Sequence, residues 1–278
     1  MPRRKLSWYN MVGLAAALVF ALFPIFWMVS TSFKPAGEWA SIPPTWISGQ
    51  ATFDNYSTLF ASYDSLFKMA GRPAWRALLD SFVVAGSATV LALVIGLMGA
   101  IGLSRHRAGG ELFGVAVLSV RAIQAVTLAI PLVILFSWMR LLDSYIGLIL
   151  ADLVFTMPLA FWMLKSFLDE LPKEIEEAGM MDGLSRWGAY FRITVPLIRG
   201  GLLATALFIF IVNWSEFLFA SVLTEKNVVP ISVYLRFHEG LIGVQAAIAT
   251  MAALPIVVVG FAIQKQLARA FTLGAVKR

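Results

Sequence analysis

The sequence predicts an all-α fold, a polytopic membrane bundle of about six transmembrane helices forming a single domain over residues 1–278. Composition is the first reason: 59% of the residues are hydrophobic and only 14% are charged, where soluble domains carry about 25% charge. Spacing is the second. The apolar residues gather in runs of about 20, the length a helix needs to cross about 30 Å of hydrocarbon. Third, the basic residues sit at the ends of those runs, as topology determinants do.

Six spans are expected, at about 11–32, 77–103, 113–139, 146–168, 200–223 and 247–268. The first follows Arg3-Arg4-Lys5. Its apolar run is long for a signal peptide and no Ala-x-Ala site follows it, so an uncleaved helix is expected. Pro24, Gly96, Gly99, Pro131, Pro158 and Gly260 fall inside spans. In a bundle, neighbouring helices satisfy the backbone groups that Pro frees, and small residues allow close packing. Kinks and close contacts are at least as good an expectation for them as gating. An outer loop at about 34–76 begins Lys34-Pro35 and contains Pro43-Pro44, so much of it is expected to be irregular. A second outer segment, about 224–246, carries a Glu225-Lys226-Asn227 turn and the stretch 228–235, which caps the later spans.

Fourteen of the 22 Lys and Arg residues fall on the N-terminal side of the membrane, seven on the other, and Arg121 inside a span. That bias places both termini in the cytoplasm, together with a charged insert at about 169–199 and a tail at about 269–278. The net charge of +6 is thus a membrane signature rather than a nucleic-acid patch. There is no cysteine, and His106 and His238 have no ligand-spaced partners, so no metal centre is expected. A Gly-x-x-x-x-Gly-Lys-Ser/Thr phosphate loop is absent from the sequence.

The insert is the most informative stretch. Pro172 suits a first helical turn, and Glu174, Glu176 and Glu177 complement the positive end of a helix dipole. Asp182-Gly183 supplies a turn. Ser185 is placed to cap a second short helix, about 185–193, which Pro196 ends. Met180, Met181, Trp187, Tyr190 and Phe191 give this elbow more apolar surface than water tolerates and too little to fold alone. It is expected to pack partly on its own bundle and partly on a partner.

The spelling of the insert resembles the EAA loop of ATP-binding-cassette (ABC) import permeases: Glu-Ala-Ala, three residues, Gly, nine residues, Ile, one residue, Leu-Pro. Glu177-Ala178-Gly179, Gly183, Ile193 and Pro196 match it, with Gly179 standing for the second Ala and Val195 for the Leu. Phe33-Lys34-Pro35, Phe53-Asp54-Asn55-Tyr56 and the tail Phe271-Thr272-Leu273-Gly274-Ala275-Val276-Lys277 extend the resemblance to the maltose-type carbohydrate-uptake permeases, the six-span member of the usual pair. Asp80 where the family has Asn, Gln124-Ala125 for Pro-Pro, Trp214-Ser215-Glu216 for Trp-Asn-Glu, and a longer segment around 61–75 depart from it.

The resemblance implies a type I importer fold in which this subunit pairs with a second, homologous permease. Two copies of a cytoplasmic ATPase, holding the ATP and Mg, would dock on the two EAA loops, and an extracytoplasmic solute-binding protein would deliver a sugar-like substrate. The setting would be a bacterial or archaeal cytoplasmic membrane, and the chain itself would hold no cofactor and no catalytic residue. By position, Glu177, Ala178, Gly179, Met180, Met181, Asp182, Gly183, Ile193 and Pro196 form the ATPase-docking element.

Arg121 and Glu216 read as the only intramembrane charges, and such residues face the bundle or water. They are expected either to line or gate the sugar path, or to pair with each other or lie near an interface as structural anchors. Gln124, Trp214 and Ser215 add the amide, aromatic and hydroxyl groups that a sugar site uses. An ABC permease for a phosphodiester or peptide remains an alternative. An ATP-independent secondary transporter would show inverted repeats and midplane carboxylates, neither of which is evident.

Overall fold

A computed structural model of the chain describes residues 8–60 and 73–275. Arg3-Arg4-Lys5, most of the extended segment around 61–75 and residues 276–278 lie outside the described residues. The helices are α1 (Trp8–Ser32), α2 (Asp54–Phe60), α3 (Ala74–His106), α4 (Gly110–Ser119), α5 (Ala125–Trp138), α6 (Tyr145–Asp169), α7 (Glu174–Met181), α8 (Arg186–Ala189), α9 (Val195–Leu197), α10 (Arg199–Trp214), α11 (Leu218–Leu223), α12 (Ile231–Tyr234) and α13 (Ile242–Ala275). Turns of 3-10 helix occur at Ala36–Glu38, Val120–Ala122 and Leu235–His238, a π-helical segment at Tyr190–Thr194, and no strand among the described residues.

Four of these helices, α1, α3, α6 and α13, are long and apolar enough to cross a membrane singly. The other two expected spans are broken. Leu112–Ala122 meets Ala125–Trp138 at 90°, and Arg186–Leu197 meets Arg199–Trp214 at 75°. The first break holds neither Pro nor Gly, and its 3-10 turn carries Arg121 instead. Pro131 and Pro158, by contrast, sit within α5 and α6, which run on past them. The fifth span also stops at Trp214, nine residues before its expected end at 223, and the chain turns before α11. The expected tail at 269–278 is helical through Ala275 as the end of α13.

The chain divides into two compact units, residues 1–75 with 234–254 and residues 76–233 with 255–278. In the first, the family-like fragments after α1 form one knot. Asn55 donates through Nδ2 to the carbonyls of Ser32 (2.9 Å) and Lys34 (2.8 Å), and Tyr56 Oη lies 2.7 Å from Ser32 Oγ. Phe33 packs on Phe53 and Tyr56 with ring centroids 5.3 and 5.2 Å apart. Lys34 is buried with its ammonium 3.9 Å over the Trp27 ring, a cation–π contact. The apolar side chains of α1 from Trp8 to Phe26 are exposed, as suits a helix in hydrocarbon.

The second unit is organised around α6, packed against α3 and α10. A Cβ on Gly96 of α3 would lie 2.8 Å from the Phe161 backbone nitrogen, and one on Gly201 of α10 would lie 2.3 Å from the Phe167 ring. Close backbone approach of this kind is how helices associate where lipid supplies no hydrophobic drive. At one end of the unit Ala100, Ile101, Phe161, Leu164, Leu168, Tyr190 and Ile198 form a continuous buried cluster. That cluster is the seat of the elbow.

Candidate functional site

The elbow begins two residues after Pro172, which stands outside α7 rather than in its first turn. Glu174, Glu176 and Glu177 occupy that turn as expected, but Glu176 turns inward. Its buried carboxylate receives Arg105 Nε at 2.9 and 3.0 Å and Thr194 Oγ1 at 2.8 Å. The same guanidinium donates to the Leu171 carbonyl at 3.2 Å. Four elements thus meet at one ion pair: the end of α3, the α6–α7 link, α7 and the π segment.

The turn after α7 closes as a Schellman motif. Leu184 N–H bonds Gly179 O and Gly183 N–H bonds Met180 O, each at 3.1 Å. Gly183 carries φ +95° there, in the left-handed region that favours glycine. Ser185 caps the second arm as expected, accepting from Gly188 N–H at 3.1 Å. That arm does not stop at Pro196. It continues through the π segment into α9, where Pro196 occupies a first-turn position that needs no N–H donor, and the chain bends at Ile198.

The apolar residues divide by face. Tyr190 is buried, with Oη 2.9 Å from His106 Nε2 at the end of α3. Met181 (87% exposed), Trp187 (59%) and Phe191 (64%) point away from the chain, and the last two stack with centroids 6.2 Å apart. Of the nine expected docking residues, Glu177, Ala178, Met180, Met181, Asp182, Gly183 and Pro196 are exposed. Gly179 and Ile193 instead face each other inside the elbow. A Cβ on Gly179 would sit 2.3 Å from Ile193 Cδ1, so this isoleucine fills the space of the missing methyl.

The intramembrane candidates are not gathered into one site. Arg121 and Glu216 do not pair. Arg121 Nη1 donates to the Phe155 carbonyl at 3.0 Å from the exposed α4–α5 break, where Gln124 is also exposed. Glu216 accepts from Phe219 and Ala220 N–H at 2.8 and 3.0 Å, holding the first turn of α11. Ser215 is exposed and donates to the Ile211 carbonyl, whereas Trp214 is buried against Phe210, ring centroids 5.5 Å apart.

Reading Arg121 and Glu216 as the only intramembrane charges passes over Asp152. It lies in the middle of α6, is buried, and its Oδ1 has no hydrogen-bond partner. The signal was there, one carboxylic acid inside the run Leu148-Ile149-Leu150-Ala151-Asp152-Leu153-Val154-Phe155. Asp152, Asn213, Trp214 and Glu216 line a void of about 10 Å³, close to the minimum for one water and far below a sugar.

A bundle of apolar helices that carries an outward-facing amphipathic elbow fits the inner-membrane subunit of a transport system. The family described as binding-protein-dependent transport system inner membrane component matches residues 88–273, and the chain belongs to it. The inner membrane ABC transporter permease protein YcjP of Escherichia coli (strain K12) is 34% identical, with 95% of this chain and 94% of that protein covered. The trehalose transport system permease protein SugB of Mycobacterium tuberculosis is 32% identical over 93% of each. The diacetylchitobiose uptake permease DasC of Streptomyces coelicolor is 29% identical over 97% and 96%. Among solved structures, a bacterial ABC transporter that imports alginate has the same fold, with a TM-score of 0.74 at 22% identity over 93% of this chain and 95% of that one.

Proposed function

We propose that this chain is the permease subunit of an ATP-driven, binding-protein-dependent importer of a sugar, oligosaccharide or polyol. The observation that carries the coupling half is the elbow: Met181, Trp187 and Phe191 exposed on one face, Glu176 and Tyr190 fixed to α3 on the other. The sugar half is supported by relatives named for trehalose, diacetylchitobiose and sulfoquinovosyl glycerol uptake. The partners are a second homologous permease, two copies of a cytoplasmic ATPase and an extracytoplasmic solute-binding protein. ATP and Mg belong to the ATPases, since the sequence lacks a phosphate loop. Both termini and the elbow are cytoplasmic.

Transport proceeds by alternating access. ATP binding favours the outward-facing state only through contacts that differ between the two states. The elbow is where those contacts act on this chain, and its fixed attachment makes displacement of α7 a displacement of α3. The exposed Arg121 and Gln124 at the α4–α5 break are assigned to the solute path, and Trp214, Ser215 and Glu216 to shaping its wall.

Met181→Asp with Phe191→Asp tests the docking face. Both side chains are exposed, so folding stability is expected to change by no more than about 0.5 kcal/mol each. Co-purification of the ATPase and solute-stimulated uptake in proteoliposomes are expected to be lost together. Retention of a stoichiometric ATPase by this double variant refutes the assignment.

A further inference from the structure

At the end of α3 and α6 that carries the elbow, a cavity of about 630 Å³ opens between α3, α4 and α6. That volume lies within the range of ligand pockets, about 300–1,000 Å³. Its polar lining is Ser104, Arg107, Trp162, Lys165 and Asp169. Lys165 is ion-paired with Asp169 and lies 5.6 Å over the Trp162 ring. Arg107 has no ion pair or side-chain hydrogen bond among the described residues. Trp162 Nε1 is buried without a hydrogen-bond partner, whereas the buried Ser104 hydroxyl faces the Asp169 carboxylate. The cavity therefore offers several donors, one carboxylate acceptor and one uncompensated positive charge.

We infer that this cavity holds the phosphodiester headgroup of an anionic phospholipid. Arg107 and Trp162 donate to the phosphate, and Asp169 accepts from a headgroup hydroxyl. One negative charge neutralises the site, as a phosphatidylglycerol-type lipid does and a dianion does not. Trp and Lys flanking a helix end mark the headgroup level of a bilayer, and a basic pocket between helices there is suited to lipid phosphate. Val115 and Phe113, exposed on α4 beside the cavity, give an acyl chain an apolar rim. Gly114 keeps the wall open, since a Cβ there would lie 3.4 Å from the Trp162 ring. Assignment to the cytoplasmic leaflet rests on the orientation proposed above, whereas the chemistry of the cavity does not.

The test is native mass spectrometry of the intact purified transporter, titrated with phosphatidylglycerol, with phosphatidylcholine of the same chains, and with glycerol 3-phosphate. Retention of one phosphatidylglycerol is expected to weaken roughly tenfold in Arg107→Gln, the scale of one charge-assisted contact. Trp162→Phe, which keeps an aromatic ring but loses the N–H and part of the indole volume, is expected to weaken it less. Lys226→Gln, far along the chain in the other loop, is expected to leave it unchanged. Equal retention of phosphatidylcholine, displacement by glycerol 3-phosphate, or wild-type retention in both Arg107→Gln and Trp162→Phe overturns the inference. A complex that binds the lipid in this Arg107-dependent way yet imports no sugar sinks the proposed function and leaves the lipid site standing.

Discussion

Glu176→Gln removes one charge from a pair whose side chains are 5% and 8% exposed, while keeping the volume of the group. The carboxylate now receives three contacts from two donors, two from the shared Arg105 Nε–H and one from Thr194 Oγ1. An amide has a single acceptor oxygen, and its NH2 faces either the guanidinium or the hydroxyl. Arg105 stays charged and buried without its counter-ion. Breaking a buried pair from one side costs about 3–5 kcal/mol. At about 3 kcal/mol, the balance between an attached and a loosened elbow shifts by about two orders of magnitude.

The loss is expected to fall on the attachment of α7 and the π segment to α3, because all the severed contacts are there. Hydrogen exchange over residues 174–197 is expected to speed up by about a hundredfold in the variant. In proteoliposomes, solute imported per ATP hydrolysed is expected to drop, since under the proposed function a loosened elbow would still dock the ATPase but transmit less of its movement. A double variant, Arg105→Met with Glu176→Met, replaces the pair by apolar groups and is expected to restore much of the stability lost in the single one. Wild-type exchange and a wild-type transport-to-hydrolysis ratio in Glu176→Gln refute the reasoning. So does a double variant whose cost is the sum of its parts.

Gly183→Glu places a side chain at φ +95° in open space, so the cost is backbone strain of about 1–2 kcal/mol. Uptake is expected to vanish while protease-mapped membrane topology stays intact, and Gly183→Asn is expected to retain part of the activity. Asp143 accepts backbone N–H bonds from Glu225, Lys226, Asn227 and Val228. Burial opposes its ionisation, but these four donors outweigh burial and hold the carboxyl below its ordinary value. Its stabilisation is therefore complete above the unfolded value of about 3.9 and is lost as pH falls through the lower folded value. Hydrogen exchange at 225–228, corrected for intrinsic rates, is expected to show flat protection above about pH 4 and a fall below it, with no such step in Asp143→Asn. Asp80→Ala removes the hydrogen bonds that the Tyr145 hydroxyl and the Val229 N–H make to the carboxylate, at about 1–3 kcal/mol for a buried donor that loses its acceptor. Thermal unfolding of the purified transporter is expected to order wild type above Asp80→Asn, which keeps one acceptor, and that above Asp80→Ala.

The helices and the elbow were legible in the sequence because their signals are local. Run length gives the spans, and Gly183 and Ser185 announce the turn and the cap through chemistry that depends on a few neighbouring residues. The breaks were not legible. The 90° bend at 122–125 carries no Pro or Gly, and the prolines that looked like kinks lie inside continuing helices, where tertiary partners decide the outcome. Glu176 shows the same limit within the site. In sequence it is one of three carboxylates suited to a helix N-terminus. Only the 71-residue separation from Arg105 closing in space makes it the anchor of the elbow. Glu216 and Trp214 stood in the sequence as candidates for the sugar path, and their contacts, the first turn of α11 for one and Phe210 for the other, were not legible there.

The departure at Asp80 acquires a meaning from the same helix. α3 is held at one end by Arg105 and His106, which contact the elbow through Glu176 and Tyr190. At the other end Asp80 and Ser81 accept from the backbone N–H groups of Val229 and Ile231, at 2.9 and 2.7 Å. The 25 residues between Asp80 and Arg105 span about 37 Å at 1.5 Å per residue. Between those ends α3 approaches α6 closely at Gly96 and Gly99, against Ala160 and Phe161, and Thr89 accepts from Asn213 of α10 at 3.3 Å. Asp rather than Asn at position 80 strengthens the far attachment, because a carboxylate accepts from both Tyr145 and Val229 at once. The elbow and the 229–231 segment are in this way attached to the two ends of one helix, and buried charges make both attachments.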